Sequence, residues 1–146
     1  MNDSEKIQLA FQTTVARGRA REVICEWIQE FHNVEHMDEQ FKTNVPRNVN
    51  YLICWYGYGS YCGSSYVLYE KDGKFYENHA SHCSCMGLED QWEPDEVSLT
   101  YLIKKASSWQ EDLNNIQHYD TNIYDGESEY KVAFIKIINI LRGDNK

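Results

Sequence analysis

Apolar residues recur every three or four positions near both ends of the chain, and this spacing predicts helices there. The N-terminal region, residues 1–48, contains two such stretches. In the second stretch glutamates occupy positions between the apolar ones, which predicts an amphipathic helix packed on an apolar surface. The apolar residues of this second stretch are Val23, Ile24, Trp27, Ile28 and Phe31.

The middle region, residues 49–92, predicts antiparallel strands followed by a loop. Its first run, 49–56, is rich in the aromatic and branched side chains that favour strands. A stretch of Gly, Ser and Tyr separates this run from two more, 66–70 and 75–79. We therefore expect three strands here.

An Asp-Gly pair joins the second and third of these runs. Asp72 and Gly73 favour a two-residue type I′ turn, because both positions of that turn need positive φ. The turn fixes the register of the hairpin, so Tyr66 is predicted to lie opposite His79. His79 should then share a face of the sheet with Tyr66, Leu68 and Phe75.

The C-terminal region, residues 93–142, predicts three helices. Pro94 with acids beside it is typical of a first helical turn, since carboxylates favour the positive end of the helix dipole. Ser108 and Glu111 match a capping box, which predicts the start of a second helix. A last helix is predicted over about residues 127–141, with apolar residues around much of its circumference.

These patterns predict an α+β fold with a small three-stranded antiparallel sheet and flanking N- and C-terminal helices. The chain of 146 residues fits a single domain, 1–146, and can bury a sufficient core without disulfides or metal. The apolar surplus on the last helix predicts a homodimer.

The chain shows no sequence signal for a membrane or for secretion. No apolar run approaches the roughly 20 residues that a membrane span needs. The N-terminus lacks the basic and apolar regions of a signal peptide. Five cysteines, an odd number, are expected as thiols or metal ligands in a reducing compartment. We therefore expect a cytoplasmic protein.

The net charge of −9 is unevenly distributed. Fourteen acids stand against four lysines between residues 70 and 129. Such a field repels nucleic acid and favours basic protein surfaces. We therefore predict that a partner with a basic surface binds the densest group of acids, which comprises Glu89, Asp90, Glu93, Asp95 and Glu96.

A loop rich in Gly and Tyr is the second candidate for partner binding. Tyrosine on a backbone of small residues gives a large contact area at low entropic cost. The alternative is that half of these rings cover the core. The candidates in this loop are Tyr56, Tyr58 and Tyr61.

Histidines and cysteines concentrate between residues 79 and 85. His79, His82, Cys83 and Cys85 are ligand types that zinc accepts. Two thiols only two residues apart differ from the usual paired turns of structural zinc sites, which argues against a metal. In the alternative interpretation the cysteines pack as small apolar groups and the histidines bond to loop carbonyls.

The residues that follow the hairpin resemble a known signature. The order HCSC, Gly87, Leu88, Glu89, Gln91, Trp92 and Pro94 resembles an uncharacterised family of small phage and prophage proteins. The resemblance covers about a quarter of the chain, residues 66–102. It implies a phage-related origin and carries over no activity, cofactor or catalytic residue.

Together these features favour a phage-derived acidic interaction protein. It is expected to bind, and to inhibit, a host protein in the host cytoplasm, such as a nucleic-acid-handling or defence component. No cofactor, membrane or direct nucleic-acid contact is expected. The alternative is a small zinc-dependent or thiol enzyme centred on the histidines and cysteines at 79, 82, 83 and 85.

Overall fold

The computed structural model of the protein describes residues 18–59, 62–84, 86–116 and 127–143. Within these ranges the chain forms five strands and three helices, and residues 18–20 are also helical. In chain order the elements are β1 (Glu26–Gln29), α1 (Val34–Phe41), β2 (Asn50–Gly59), β3 (Cys62–Lys71), β4 (Lys74–His82), β5 (Asp95–Val97), α2 (Leu99–Ile116) and α3 (Glu127–Arg142).

The strands form one sheet in the order β1-β2-β3-β4-β5. β1 runs parallel to β2, and every later pair is antiparallel. The predicted three-stranded antiparallel sheet is therefore wrong: the sheet is mixed and has five strands. The two strands that the prediction omitted are the edge strands, β1 and β5.

The segment predicted as a second N-terminal helix contains β1 instead. Trp27 pairs with Cys54 and Ile28 with Trp55, so neighbouring side chains enter the two opposite faces of the sheet. Ile24, which a helix would have buried, is 88% exposed. This segment pairs with β2 despite its helical spacing. A strand that is buried on both faces also carries apolar residues at short, irregular intervals, so the spacing alone does not distinguish it from a helix.

The start of α2 also differs from the prediction. Asp95 to Val97 pair with β4, and the helix begins at Leu99, where the Ser98 hydroxyl oxygen accepts the Tyr101 N–H at 3.1 Å. α2 then continues through Ser108 to Ile116. The predicted helix starts at Pro94 and Ser108 are both wrong.

The hairpin of β3 and β4 confirms the predicted register. Asp72 and Gly73 have φ values of 51° and 84°, as a type I′ turn requires. Tyr66 lies opposite His79, and Lys71 lies opposite Lys74.

The sheet is covered on both faces. α2 and α3 pack on what we call the helix face, which carries Trp55, Tyr66, Leu68 and Phe75. α1 and the loop after β4 pack on the opposite, or loop, face, which carries Tyr56, Val67, Tyr69 and Ala80. Among the described residues, none of the helices has the length and apolarity to cross a membrane.

The predicted last helix is confirmed as α3, and its apolar stripe is largely buried. Phe134, Ile137, Ile138 and Leu141 are all buried against the helix face and α2. Val132 is the one large hydrophobic residue of α3 that is exposed within the described part of the chain. The homodimer therefore stays a prediction, without the broad apolar surface on which it depended.

Candidate functional site

The loop between β4 and β5 is fixed to the loop face of the sheet. Leu88 is fully buried there. The half-buried Trp92 ring stacks on Tyr69, with centroids 6.1 Å apart and planes at 14°, and it lies 5.1 Å from Phe41. Gln91 accepts the Ser81 N–H through Oε1 and donates to the Gly87 carbonyl through Nε2, each at 3.0 Å. These contacts attach the described residues of the loop to the sheet.

The five predicted acids lie on this loop and on β5, and we call residues 89–96 the acidic segment. Asp90, Glu93, Asp95 and Glu96 are exposed. Glu96 alone of the five has a cationic partner within 4 Å among the described residues, Lys74 at 3.7 Å. The Glu89 carboxylate accepts its own N–H and that of Gly87, and these hydrogen bonds hold the pKa of Glu89 below its ordinary value.

The three predicted tyrosines have different positions. Tyr56 is buried on the loop face, where burial raises its pKa to about 12. Tyr58 is 50% exposed and lines a shallow cavity of about 370 Å³ together with Glu30. Tyr61 lies outside the described residues. Tyr58 is therefore the described tyrosine of this group that a partner can contact.

His82 is a structural residue of the loop face. Its Nδ1 lies 2.9 Å from the Cys83 carbonyl and donates to it, so Nε2 accepts the Tyr56 hydroxyl at 2.6 Å. Gly63 lies opposite His82 across the strands. A methyl group on Gly63 would lie 2.8 Å from His82 Cε1, so only glycine fits beside this ring.

His79 occupies the opposite face of β4. It is three residues from His82, and successive side chains of a strand alternate between faces. The structure thus does not bring the predicted ligands His79 and His82 together, and Cys85 lies outside the described residues. No group of three or more potential metal ligands occurs among the residues that are described. The zinc or thiol enzyme stays a hypothesis from sequence.

A buried charged cluster holds the ring of His79. Nε2 lies 3.0 Å from Lys105 Nζ and 3.3 Å from Glu77 Oε1. The Glu77 carboxylate also accepts hydrogen bonds from Lys105 at 2.8 Å, Tyr66 at 2.8 Å and Tyr101 at 2.5 Å. Burial alone would raise the pKa of Glu77, but these donors outweigh it and lower the pKa to about 2.

The sequence interpretation missed this cluster. The cluster depends on the full length of α2, which lays the Lys105 ammonium about 5 Å above the rings of Tyr66, Tyr101 and Trp109. A signal was present in the chain. Glu77 falls on the same predicted strand face as Leu68 and Phe75, where an acid needs a buried partner.

A cavity of about 800 Å³ lies at one end of the sheet, where β2, β3 and β4 come together. Small residues such as Gly57, Ser64 and Ser81 line it, and Trp55 and Tyr130 stack at its side with centroids 4.1 Å apart. The Trp55 ring is 3% exposed, and its N–H has no hydrogen-bond partner among the described residues. The cavity also exposes two thiols, those of Cys62 and Cys83.

Comparisons of the chain with protein-family models, curated proteins and solved structures found no match.

Proposed function

We propose that the protein is a non-enzymatic interaction protein whose acidic segment binds a basic surface on a partner protein. The observation that carries this proposal is the exposure of four carboxylates between residues 90 and 96, three of them without a described cationic partner. Held so close together, like charges raise the free energy of the free protein. A basic partner relieves this repulsion, and the release favours the complex.

The attachment of the loop to the sheet supports the same function. Leu88, Gln91 and Trp92 fix the backbone that carries the acids. A surface that is already ordered loses little conformational entropy on binding. Tyr58 adds an exposed aromatic ring beside Glu30, and tyrosine is enriched at protein interfaces.

The charge also selects the class of partner. Exposed acids repel phosphates, so a nucleic acid is disfavoured as a direct ligand. A protein that handles nucleic acid carries a basic surface of the opposite sign, and occupation of that surface would inhibit it. A host protein of this class agrees with the phage-related origin that the sequence resemblance implies.

Two variants of equal charge change test the proposal. The first changes the acidic segment: Asp90→Asn, Glu93→Gln and Asp95→Asn. The second is a control that neutralises three exposed acids on α1 and α2: Glu39→Gln, Glu111→Gln and Asp112→Asn. Each variant and the wild type serve as bait in extracts of the natural host, and the captured partner is then purified.

We expect the wild type and the control to capture the partner and the segment variant to lose it. In binding kinetics at low salt, the segment variant should associate about 10-fold more slowly, whereas the control should differ by less than about 2-fold. Raising the salt should reduce the difference. Equal association rates for both variants would exclude the acidic segment as the binding surface.

A further inference from the structure

Cys62 and Cys83 stand at the ends of two paired strands and line the same cavity. β3 begins at Cys62, β4 ends at His82, and Gly63 pairs with His82. Continued one step beyond β4, this register would place Cys83 opposite Cys62. Opposite residues of antiparallel strands have Cα atoms about 4.5–5.5 Å apart, a spacing at which two cysteines can bind one ligand.

The contacts of His82 keep these two strand ends together. Its Nδ1 donates to the carbonyl oxygen of Cys83, and its Nε2 is held by Tyr56 from β2. Because Gly63 has no side chain, the His82 ring packs directly against β3. The backbone of Cys83 is thus positioned by the same ring that touches the residue after Cys62.

Both thiols are accessible. Cys62 and Cys83 are exposed and line the cavity at the end of the sheet. A second thiol pair, Cys25 and Cys54, has its sulfur atoms 3.7 Å apart, but Cys54 is fully buried and burial raises its pKa. A reagent in solvent therefore reaches the first pair more readily than the second.

We propose that Cys62 and Cys83 form one dithiol site that binds a thiophilic ion of the Cu(I) class through both sulfurs. Thiolates are the ligands that such soft ions select. Both thiols lose a proton on binding, and the metal keeps its oxidation state. His79 is not a further ligand. It pairs with Tyr66, which lies four residues beyond Cys62, and four residues span roughly 13 Å at the rise of a strand.

Phenylarsine oxide is the first probe. With two neighbouring thiols it forms two As–S bonds, and its oxygen leaves as water with both thiol protons. We expect one arsenical per chain by intact-mass spectrometry under native conditions. Cys62→Ser and Cys83→Ser should each weaken binding by about 100-fold, because one sulfur alone lacks the gain from two-point attachment. Cys25→Ser, which removes a thiol from the other pair, should bind as the wild type does.

Anaerobic titration with Cu(I) against a coloured chelator is the second probe. One ion per chain should bind with the same dependence on Cys62 and Cys83. Gly63→Ala is an independent test. It keeps every thiol but displaces His82, so it should weaken the binding of both probes. Thermal melts confirm that each variant is folded.

Two outcomes would overturn the proposal. One is wild-type binding of both probes by folded Cys62→Ser or Cys83→Ser. The other is loss of binding in Cys85→Ser but not in Cys83→Ser, which would assign the second sulfur to Cys85. Neither outcome bears on the acidic segment, so this site and the proposed function stand or fall separately.

Discussion

At the scale of single residues, Gly63 and His82 lie so close that a side chain on the glycine has no room. A Cβ at position 63 would meet the His82 ring and, at 3.0 Å, the Tyr56 ring. His82 cannot turn away without losing its hydrogen bonds to Tyr56 and to the Cys83 carbonyl. Gly63→Ala should therefore lower the free energy of unfolding by about 1–3 kcal/mol, the usual cost of overpacking.

Urea denaturation of two variants measures this effect. Gly18→Ala is the matched control, because no atom of the described residues lies within 4 Å of a Cβ at that position. Combining Gly63→Ala with His82→Ala should show a strong coupling between the two sites. Equal stability of Gly63→Ala and the wild type would mean that the ring has room to move.

A second prediction at this scale concerns acid. The ordinary pKa of Glu77 is 4.5 and its pKa in the folded protein is about 2. The folded state therefore gains stability from ionised Glu77 that is complete above about pH 4.5 and is lost as the pH falls through 2. The shift corresponds to about 3 kcal/mol.

Glu77→Gln tests this dependence. Near neutral pH the variant should be several kcal/mol less stable than the wild type, because it leaves Lys105 half-buried beside an uncharged group. The difference should shrink as the pH falls from 4.5 towards 2, when measured by urea melts at several pH values. Glu93→Gln, at an exposed acid, is the control. A difference that did not change with pH would contradict the lowered pKa.

At the scale of elements, two serines that look alike in sequence have different roles in α2. The Ser98 hydroxyl oxygen accepts the N–H of Tyr101 and caps the helix, whereas Ser108 is exposed inside it. We expect Ser98→Ala to cost about 1 kcal/mol. Ser108→Ala should change stability by less than about 0.5 kcal/mol, in the stabilising direction, because alanine is the better helix former.

Denaturant melts of both variants at one temperature check this pair. If Ser108→Ala were instead the more destabilising of the two variants, a helix would start at Ser108 and α2 would not be continuous.

Local rules account for the elements that the sequence predicted correctly. The hairpin register follows from two turn residues, Asp72 and Gly73, and needs no information from elsewhere in the chain. β1 and β5 lack such a rule. Each becomes a strand only because an edge of the sheet is available, and the β1 residues pair with partners 27 positions away. Pattern alone assigned both segments to helices.

The features of the candidate site also fall into two groups, those that the sequence predicts and those that it does not. Exposure of the acids at 90, 93, 95 and 96 was predictable, because carboxylates without a buried partner are almost never fully buried. Contacts between distant elements were not predictable. The ion pair of Glu77 with Lys105 and the meeting of His82 with Tyr56 both depend on where α2 and β2 lie in the fold.

At the scale of the whole molecule, the sheet has a protected centre and weaker edges. β2 and β3 are buried on both faces, whereas β5 has three residues and pairs with one strand. Amide hydrogens of Ile53 and Val67 should thus exchange with solvent only through global unfolding, and the amide of Glu96 should exchange much faster. Hydrogen exchange followed by NMR resolves these positions, and equally slow exchange in β5 would contradict the assignment.

Light scattering at micromolar concentration tests the predicted homodimer, and a mass near 17.2 kDa would contradict it. If the dimer uses α3, Val132→Asp should dissociate it, since Val132 is the large exposed apolar residue described on that helix.

The parallel pairing of β1 with β2 has a consequence for the order of folding. β3 and β4 meet across a two-residue turn, but β1 must close a much longer loop, through α1, before it gains any contact. During synthesis, at roughly 5–20 residues per second, Trp27 and Ile28 are made before their partners Cys54 and Trp55. The first strand made is thus among the last to be placed, and substitutions in β1 should speed unfolding while leaving the folding rate nearly unchanged.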